Sequence, residues 1–185
     1  MFKQSRKNGN FYLIITLIMM AILFYSSSQT YEQQSQISLL TKLLKDEPLR
    51  DWLSKISFDY AGSTVSIAHS GYFHFVEFFI RKAAHFMTYF ILGGSLFLGL
   101  SAKLNLIWLT APISVFAALG YAASDEFHQM LTGGRTPLFQ DVMLDGAGAL
   151  CAVLLIIIFR KWKKKIKPLL VADKTGIRGG SIIIQ

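Results

Sequence analysis

Phe78-Phe79-Ile80-Arg81-Lys82-Ala83-Ala84-His85-Phe86-Met87-Thr88-Tyr89-Phe90-Ile91-Leu92 places two cations and a histidine inside an otherwise apolar run. With its flanks it reads as one helix from about Tyr72 to Leu100. At 1.5 Å per residue that helix outruns a bilayer core, so its first turns fall at the interface. Tyr72, Phe73, Phe75, Phe78 and Phe79 there have the character of an aromatic belt. Charged groups facing lipid are costly, so Arg81, Lys82 and His85 must face a bundle interior that holds or uses them.

The rest of the chain supplies that bundle. The 185 residues are 52% hydrophobic and 16% charged, and the mean hydropathy is +0.42. These values belong to a membrane protein. Phe11 to Tyr25 is continuously apolar except for Thr16, and its polar flanks extend it to a span of about 10–29. A basic start and short apolar core also suit a cleaved signal peptide, but further apolar segments at 76–100, 106–124 and 141–159 favour an uncleaved first helix. The fold expected is all-α, an integral membrane bundle of four transmembrane helices over residues 1–168. An extracytoplasmic loop of short amphipathic helices covers 30–70, and a loosely ordered cytoplasmic tail covers 169–185.

Within the loop, apolar residues at 37, 40 and 44, then at 49, 52, 53 and 56, follow a helical period interrupted at Pro48. Two short helices result, lying on the membrane or covering the bundle; a plain surface loop is the alternative. Tyr60 to Ser70 is rich in Gly, Ser and Thr and reads as irregular. Cys151 is the single cysteine, which excludes an internal disulfide and a multi-cysteine metal site.

The net charge of +8 is a matter of topology. With both termini cytoplasmic, the inner segments carry 12 basic residues against one acid, Asp173, and the outer segments carry seven basic residues and ten acids. This follows the positive-inside rule and needs no nucleic-acid partner. All four histidines fall on the outer side, as do Arg81 and Lys82 against the trend. A site explains those two cations better than orientation does.

His74, Glu77, Arg81, His85 and Thr88 are spaced 3, 4, 4 and 3 apart and form one helical stripe, flanked by Lys82 and Tyr89. Glu77 and Arg81 are placed for an i, i+4 ion pair. The end of the third helix offers Asp125, His128 and Gln129 on one face, with Glu126 beside them. The fourth offers Asp141 and Asp145, then Gly146 and Gly148, which permit close helix approach. The three helices bring these groups to one membrane level. A purely structural role, with Arg81 paired to Asp141 or Asp145, is the plainer alternative.

The chain resembles the VanZ-like membrane proteins. The matching pieces are Phe24-Tyr25-Ser26-Ser27-Ser28-Gln29, the run Glu77 to Tyr89, Ser124-Asp125-Glu126-Phe127-His128-Gln129 with Gly134-Arg135, and Asp141-Val142-Met143-Leu144-Asp145-Gly146. They span about residues 11–160. A run of three serines stands before Gln29 where two are usual. The resemblance implies a small multi-pass bacterial membrane protein linked to lowered susceptibility to glycopeptides of the teicoplanin type. It names no reaction.

Two functional readings follow from the residues. In an enzyme, His85 and His128 exchange protons, Asp125 orients a histidine, and Arg81, Lys82 and Arg135 hold an anionic lipid or wall-precursor head group, with Glu126, Gln129, Asp141 and Asp145 completing the pocket. Glu77, Tyr89, Gly134 and Gly146 take structural roles. In a binding or interaction protein, the same pocket holds its ligand without chemistry. A metal bound by His85, His128, Asp125 and Asp145 is a weaker reading: no helix carries two histidines at ligand spacing, and Arg81 opposes a cation. No cofactor is implied. The partners expected are the bilayer and a head group.

Overall fold

A computed structural model describes residues 6–133 and 137–176. Four helices are long and apolar enough to cross a membrane: α1 (Arg6–Ser27), α6 (Tyr72–Leu104), α7 (Ile107–Gly133) and α8 (Phe139–Gly176). They run alternately up and down. Between α1 and α6 the chain folds α2 (Tyr31–Gln34), α3 (Ile37–Leu43), α4 (Arg50–Leu53), strands β1 (Ser57–Tyr60) and β2 (Ser63–Ser66), and α5 (Ile67–Ser70). The architecture is an all-α membrane bundle with a small capping segment.

Helix α6 packs against each of the other three long helices, most extensively against α8. Small residues set the spacing. A Cβ on Gly93 would lie 2.5 Å from the Ala149 Cβ, and one on Gly148 would overlap the Phe86 carbonyl oxygen. Such contacts let two backbones approach closely in lipid, where packing replaces the hydrophobic drive between helices. Around them Tyr89, Leu92, Leu23, Ala118, Ala122 and Ala149 form a buried core. Polar links add to it: Thr16 Oγ1 and Ser95 Oγ are 2.9 Å apart, and the Tyr121 hydroxyl donates to the Met20 carbonyl at 2.6 Å. Large apolar side chains such as Leu17, Phe24, Trp108, Phe116, Leu155 and Ile158 point outward, as lipid-facing surfaces require.

The capping segment departs from expectation in one place. Residues 57–66 form a β-hairpin, and α5 follows it, where an irregular stretch was expected. The turn residues Ala61 and Gly62 have φ of 52° and 81°, the two positive values a type I′ turn needs. Ser66 then caps α5, its hydroxyl accepting from the His69 N–H at 3.2 Å. Two short helices were expected over 36–56; α3 and α4 fill that stretch, and Leu49, at φ 62°, follows Pro48 between them. Helix α2 precedes them with a full capping box between Thr30 and Gln33. Ile67, Tyr72 and Phe75, packed by Leu44, Leu53, Ile56 and Val65, seat the segment on the first turns of α6.

Two helix ends also differ. Helix α7 continues through Ser124–Met130 to Gly133, beyond the span expected to end at 124. Helix α8 runs to Gly176, past Leu169 where the loosely ordered tail was expected to begin. Val171-Ala172-Asp173-Lys174 offers no glycine or proline to interrupt it. Residues 177–185 lie outside the described residues.

Candidate functional site

At the end of the bundle beneath the capping segment lies a pocket of about 680 Å³. Helix α6 contributes His74, Glu77, Arg81, Lys82 and His85; α7 contributes Glu126 and Gln129; α8 contributes Asp141. The capping segment contributes Tyr31 and Tyr60 as part of the roof. The stripe on α6 therefore faces inward, because the opposite face of that helix is needed for lipid.

The charges are paired in a definite order. Lys82 Nζ lies 2.5 Å from Asp141 Oδ1, and the Tyr60 hydroxyl donates to the same oxygen at 2.5 Å. The lysine also sits 4.8 Å from the Tyr60 ring centre. Burial, and then the neighbouring Asp141 carboxylate, push the Tyr60 phenol above its ordinary range, so it stays a donor. His85 Nδ1 lies 3.4 Å from Asp145 Oδ2, and Asp145 is almost wholly buried.

Arg81 is placed differently. Its guanidinium lies 4.7 Å from the Tyr31 ring centre, and Nη2 donates to Gln34 Oε1 at 3.3 Å. Among the described residues no carboxylate comes within ion-pair distance, and Nη1 is buried with no hydrogen-bond partner. The expected Glu77–Arg81 and Arg81–Asp141 or Arg81–Asp145 pairs do not form. Glu77 instead turns to the capping segment, accepting from the Gln36 N–H at 2.6 Å and the Tyr31 hydroxyl at 3.1 Å. A buried carboxylate gains more from two convergent donors than from one flexible neighbour.

A family model, VanZ/LLP1, matches residues 11–160. The chain belongs to the VanZ/LLP1 family. Neither a curated protein nor a solved structure matches it. The family match takes in every pocket residue named above, and with four membrane-length helices it makes this a multi-pass membrane member of VanZ/LLP1.

Set against the sequence expectations for a VanZ/LLP1 protein, the pocket gathers Arg81, Lys82, His85, Glu126, Gln129 and Asp141. Asp145 stands behind His85, and Asp125 lies deeper, accepting from Gln129 Nε2 at 3.1 Å. His128 is not brought in. Two residues beyond Glu126 is about 200° around a helix, so it faces α1. There it stacks on Phe24 with ring centres 4.6 Å apart, and its Nδ1 lies 2.8 Å from Ser27 Oγ. His128 was expected beside His85; it does not line the pocket, and Asp125 lies within electrostatic reach of both imidazoles. Gly146 lies against Leu119 of α7, and Tyr89 is fully buried, its hydroxyl without a hydrogen-bond partner among the described residues. Gly134 and Arg135 lie outside the described residues.

Tyr31, Gln34 and Tyr60 were missed by sequence reasoning. No helical period links them to the α6 stripe. The one available signal was the positioning of Ala61-Gly62 between two four-residue runs, Ser-Phe-Asp-Tyr and Ser-Thr-Val-Ser, each with an apolar residue.

Proposed function

We propose that the pocket of this VanZ/LLP1 protein binds an anionic group on the head of an envelope lipid or wall precursor, on the extracytoplasmic side, and so alters the envelope and its susceptibility to teicoplanin-type glycopeptides. Arg81 carries the reading. Its Nη1 is buried in a pocket at a membrane-level helix end, and among the described residues it has no hydrogen-bond partner and no carboxylate neutralises it. A guanidinium left in that state is completed by a planar or tetrahedral oxyanion. The side of the membrane rests on the charge bias of the inner segments.

The test is expression of the wild type and Arg81→Gln in a susceptible host. Teicoplanin susceptibility is measured alongside membrane abundance, with mass spectrometry of envelope lipids and wall precursors. Lost protection at unchanged abundance is expected; full protection by Arg81→Gln would reject the reading.

One observation favours chemistry in addition to binding. His85 Nδ1 faces the Asp145 carboxylate, Nε2 has no hydrogen-bond partner among the described residues, and His85 lines the pocket. An imidazole held this way is set to accept a proton at Nε2. A changed lipid or precursor profile that disappears in His85→Gln would support the enzyme reading. An unchanged profile beside a changed susceptibility would favour simple binding.

A further inference from the structure

Among the described residues that line the pocket, two charged groups are left over once the internal pairings are removed, and they have opposite signs. Lys82 is matched by Asp141, His85 by Asp145, and Glu77 by two donors from the capping segment. Arg81 remains, with Nη1 unpartnered. On the α7 wall, Glu126 also remains. It is 6% exposed; its Oε2 accepts from the Leu138 N–H at 3.0 Å, and its Oε1 has no partner among the described residues. Glu126 and Arg81 both line the pocket, yet they are not within ion-pair distance of each other. Leaving either charge open in a membrane-level pocket is costly, and a purely anionic ligand would satisfy Arg81 while worsening the position of Glu126.

We infer that the pocket takes a zwitterionic lipid head group, a phosphate held by Arg81 and a primary ammonium held by Glu126. The phosphate offers several acceptor oxygens to the guanidinium. A primary ammonium has three N–H donors for a carboxylate oxygen, whereas a quaternary ammonium has none. The lipid source follows from position: Arg81, Glu126 and the pocket sit on helices of membrane-spanning length. This inference rests on the Arg81 reading above and adds the second half of the head group.

The experiment uses the full chain purified in detergent and short-chain phosphatidylethanolamine, phosphatidylcholine and phosphatidylglycerol, with soluble phosphoethanolamine as a fourth probe. Native mass spectrometry and thermal shift read the affinity. Wild type is expected to bind phosphatidylethanolamine about tenfold or more tightly than the other two lipids, the value of one charge-assisted hydrogen bond. Glu126→Gln is expected to erase that preference while keeping phosphatidylglycerol binding, which also shows that the variant is folded. Should Glu126→Gln fail to fold, Glu126→Asp, with a retracted carboxylate, is expected to reduce the preference.

Equal wild-type binding of phosphatidylethanolamine and phosphatidylglycerol overturns the inference and leaves the Arg81 reading standing. So does a preference unchanged in the Glu126 variants. Phosphoethanolamine binding as tightly as the lipid overturns the assignment to a lipid. Binding of all three lipids unaffected by Arg81→Gln overturns the Arg81 reading and this inference with it.

Discussion

Lys82 of α6 and Asp141 of α8 meet at 2.5 Å, and Tyr60 of the capping hairpin donates to the same Asp141 oxygen. One carboxylate therefore joins two membrane helices to the roof of the pocket. The pair is partly exposed, 22% for the lysine side chain and 16% for the aspartate, which places it between surface and buried ion pairs in worth. Lys82→Met is expected to destabilise the protein by about 1–3 kcal/mol, and Lys82→Met with Asp141→Leu by less than the sum of the single changes. Thermal unfolding of the full chain in detergent measures both. Strict additivity would show that the pair contributes no coupling.

Tyr60 gives a pH prediction. Its phenol titrates above the ordinary value of 10.0 in the folded protein, so the folded state holds that proton more tightly than the unfolded chain. The resulting stability is complete below pH 10 and is lost as the pH rises above it. Wild type is expected to lose more thermal stability between pH 9 and about 11 than Tyr60→Phe. At neutral pH the same substitution removes one hydrogen bond, at about 1 kcal/mol. Parallel alkaline stability profiles for the two proteins would count against the Tyr60–Asp141 bond.

Glu77 predicts the attachment of the capping segment. Both carboxylate oxygens are engaged, one by the Gln36 N–H and one by the Tyr31 hydroxyl. An amide at this position has a single acceptor oxygen and must place an NH2 against one of those donors. Glu77→Gln is expected to raise hydrogen exchange across residues 31–36 by tenfold or more, about 1.4 kcal/mol or greater, with little change in the center of α8. Unaltered exchange at Gln36 would show that Glu77 does not hold the segment.

The parts of this fold that repeat along a helix were legible in the sequence. The stripe from His74 to His85 and the acids at 141 and 145 occupy helical spacings, and their convergence follows from the cost of polar groups in lipid. What was illegible depended on pairing choices between elements. Glu77 and Arg81 stand at ideal i, i+4 spacing, yet each finds a better partner in residues 31–36. His128 shares a motif with Asp125 and Gln129 but sits a further step around the helix, facing Ser27. The hairpin lay hidden because its turn is Ala61-Gly62, where Ala61 must adopt a positive φ that alanine seldom takes.

Packing between α6 and α8 gives a further prediction. A side chain on Gly148 would collide with the Phe86 backbone carbonyl, which cannot move without displacing α6. Gly148→Ala is expected to cost about 1–3 kcal/mol, in the range of overpacked cores. Gly120→Ala serves as a control, because a Cβ there meets nothing within 4 Å and alanine favours a helix. It is expected to be neutral or slightly stabilising. Gly146→Ala falls between them, since its obstacle is the flexible end of Leu119. Melting temperatures in detergent give the ranking, and a Gly148→Ala protein as stable as Gly120→Ala would contradict the close approach.

Orientation is tested by labelling. Cys151 is the only native cysteine, so Cys151→Ser provides a background free of thiols. Ser63→Cys then marks the turn of the hairpin, and Lys163→Cys marks the opposite end of α8; both positions are exposed. If the basic segments are cytoplasmic, as their charge favours, a membrane-impermeant maleimide added to intact cells labels Ser63→Cys at once. Lys163→Cys then reacts only after the membrane is opened. The reverse pattern would place the pocket on the cytoplasmic side, where Arg81 and Glu126 would meet inner-leaflet head groups and an effect on extracellular glycopeptides would need an indirect route.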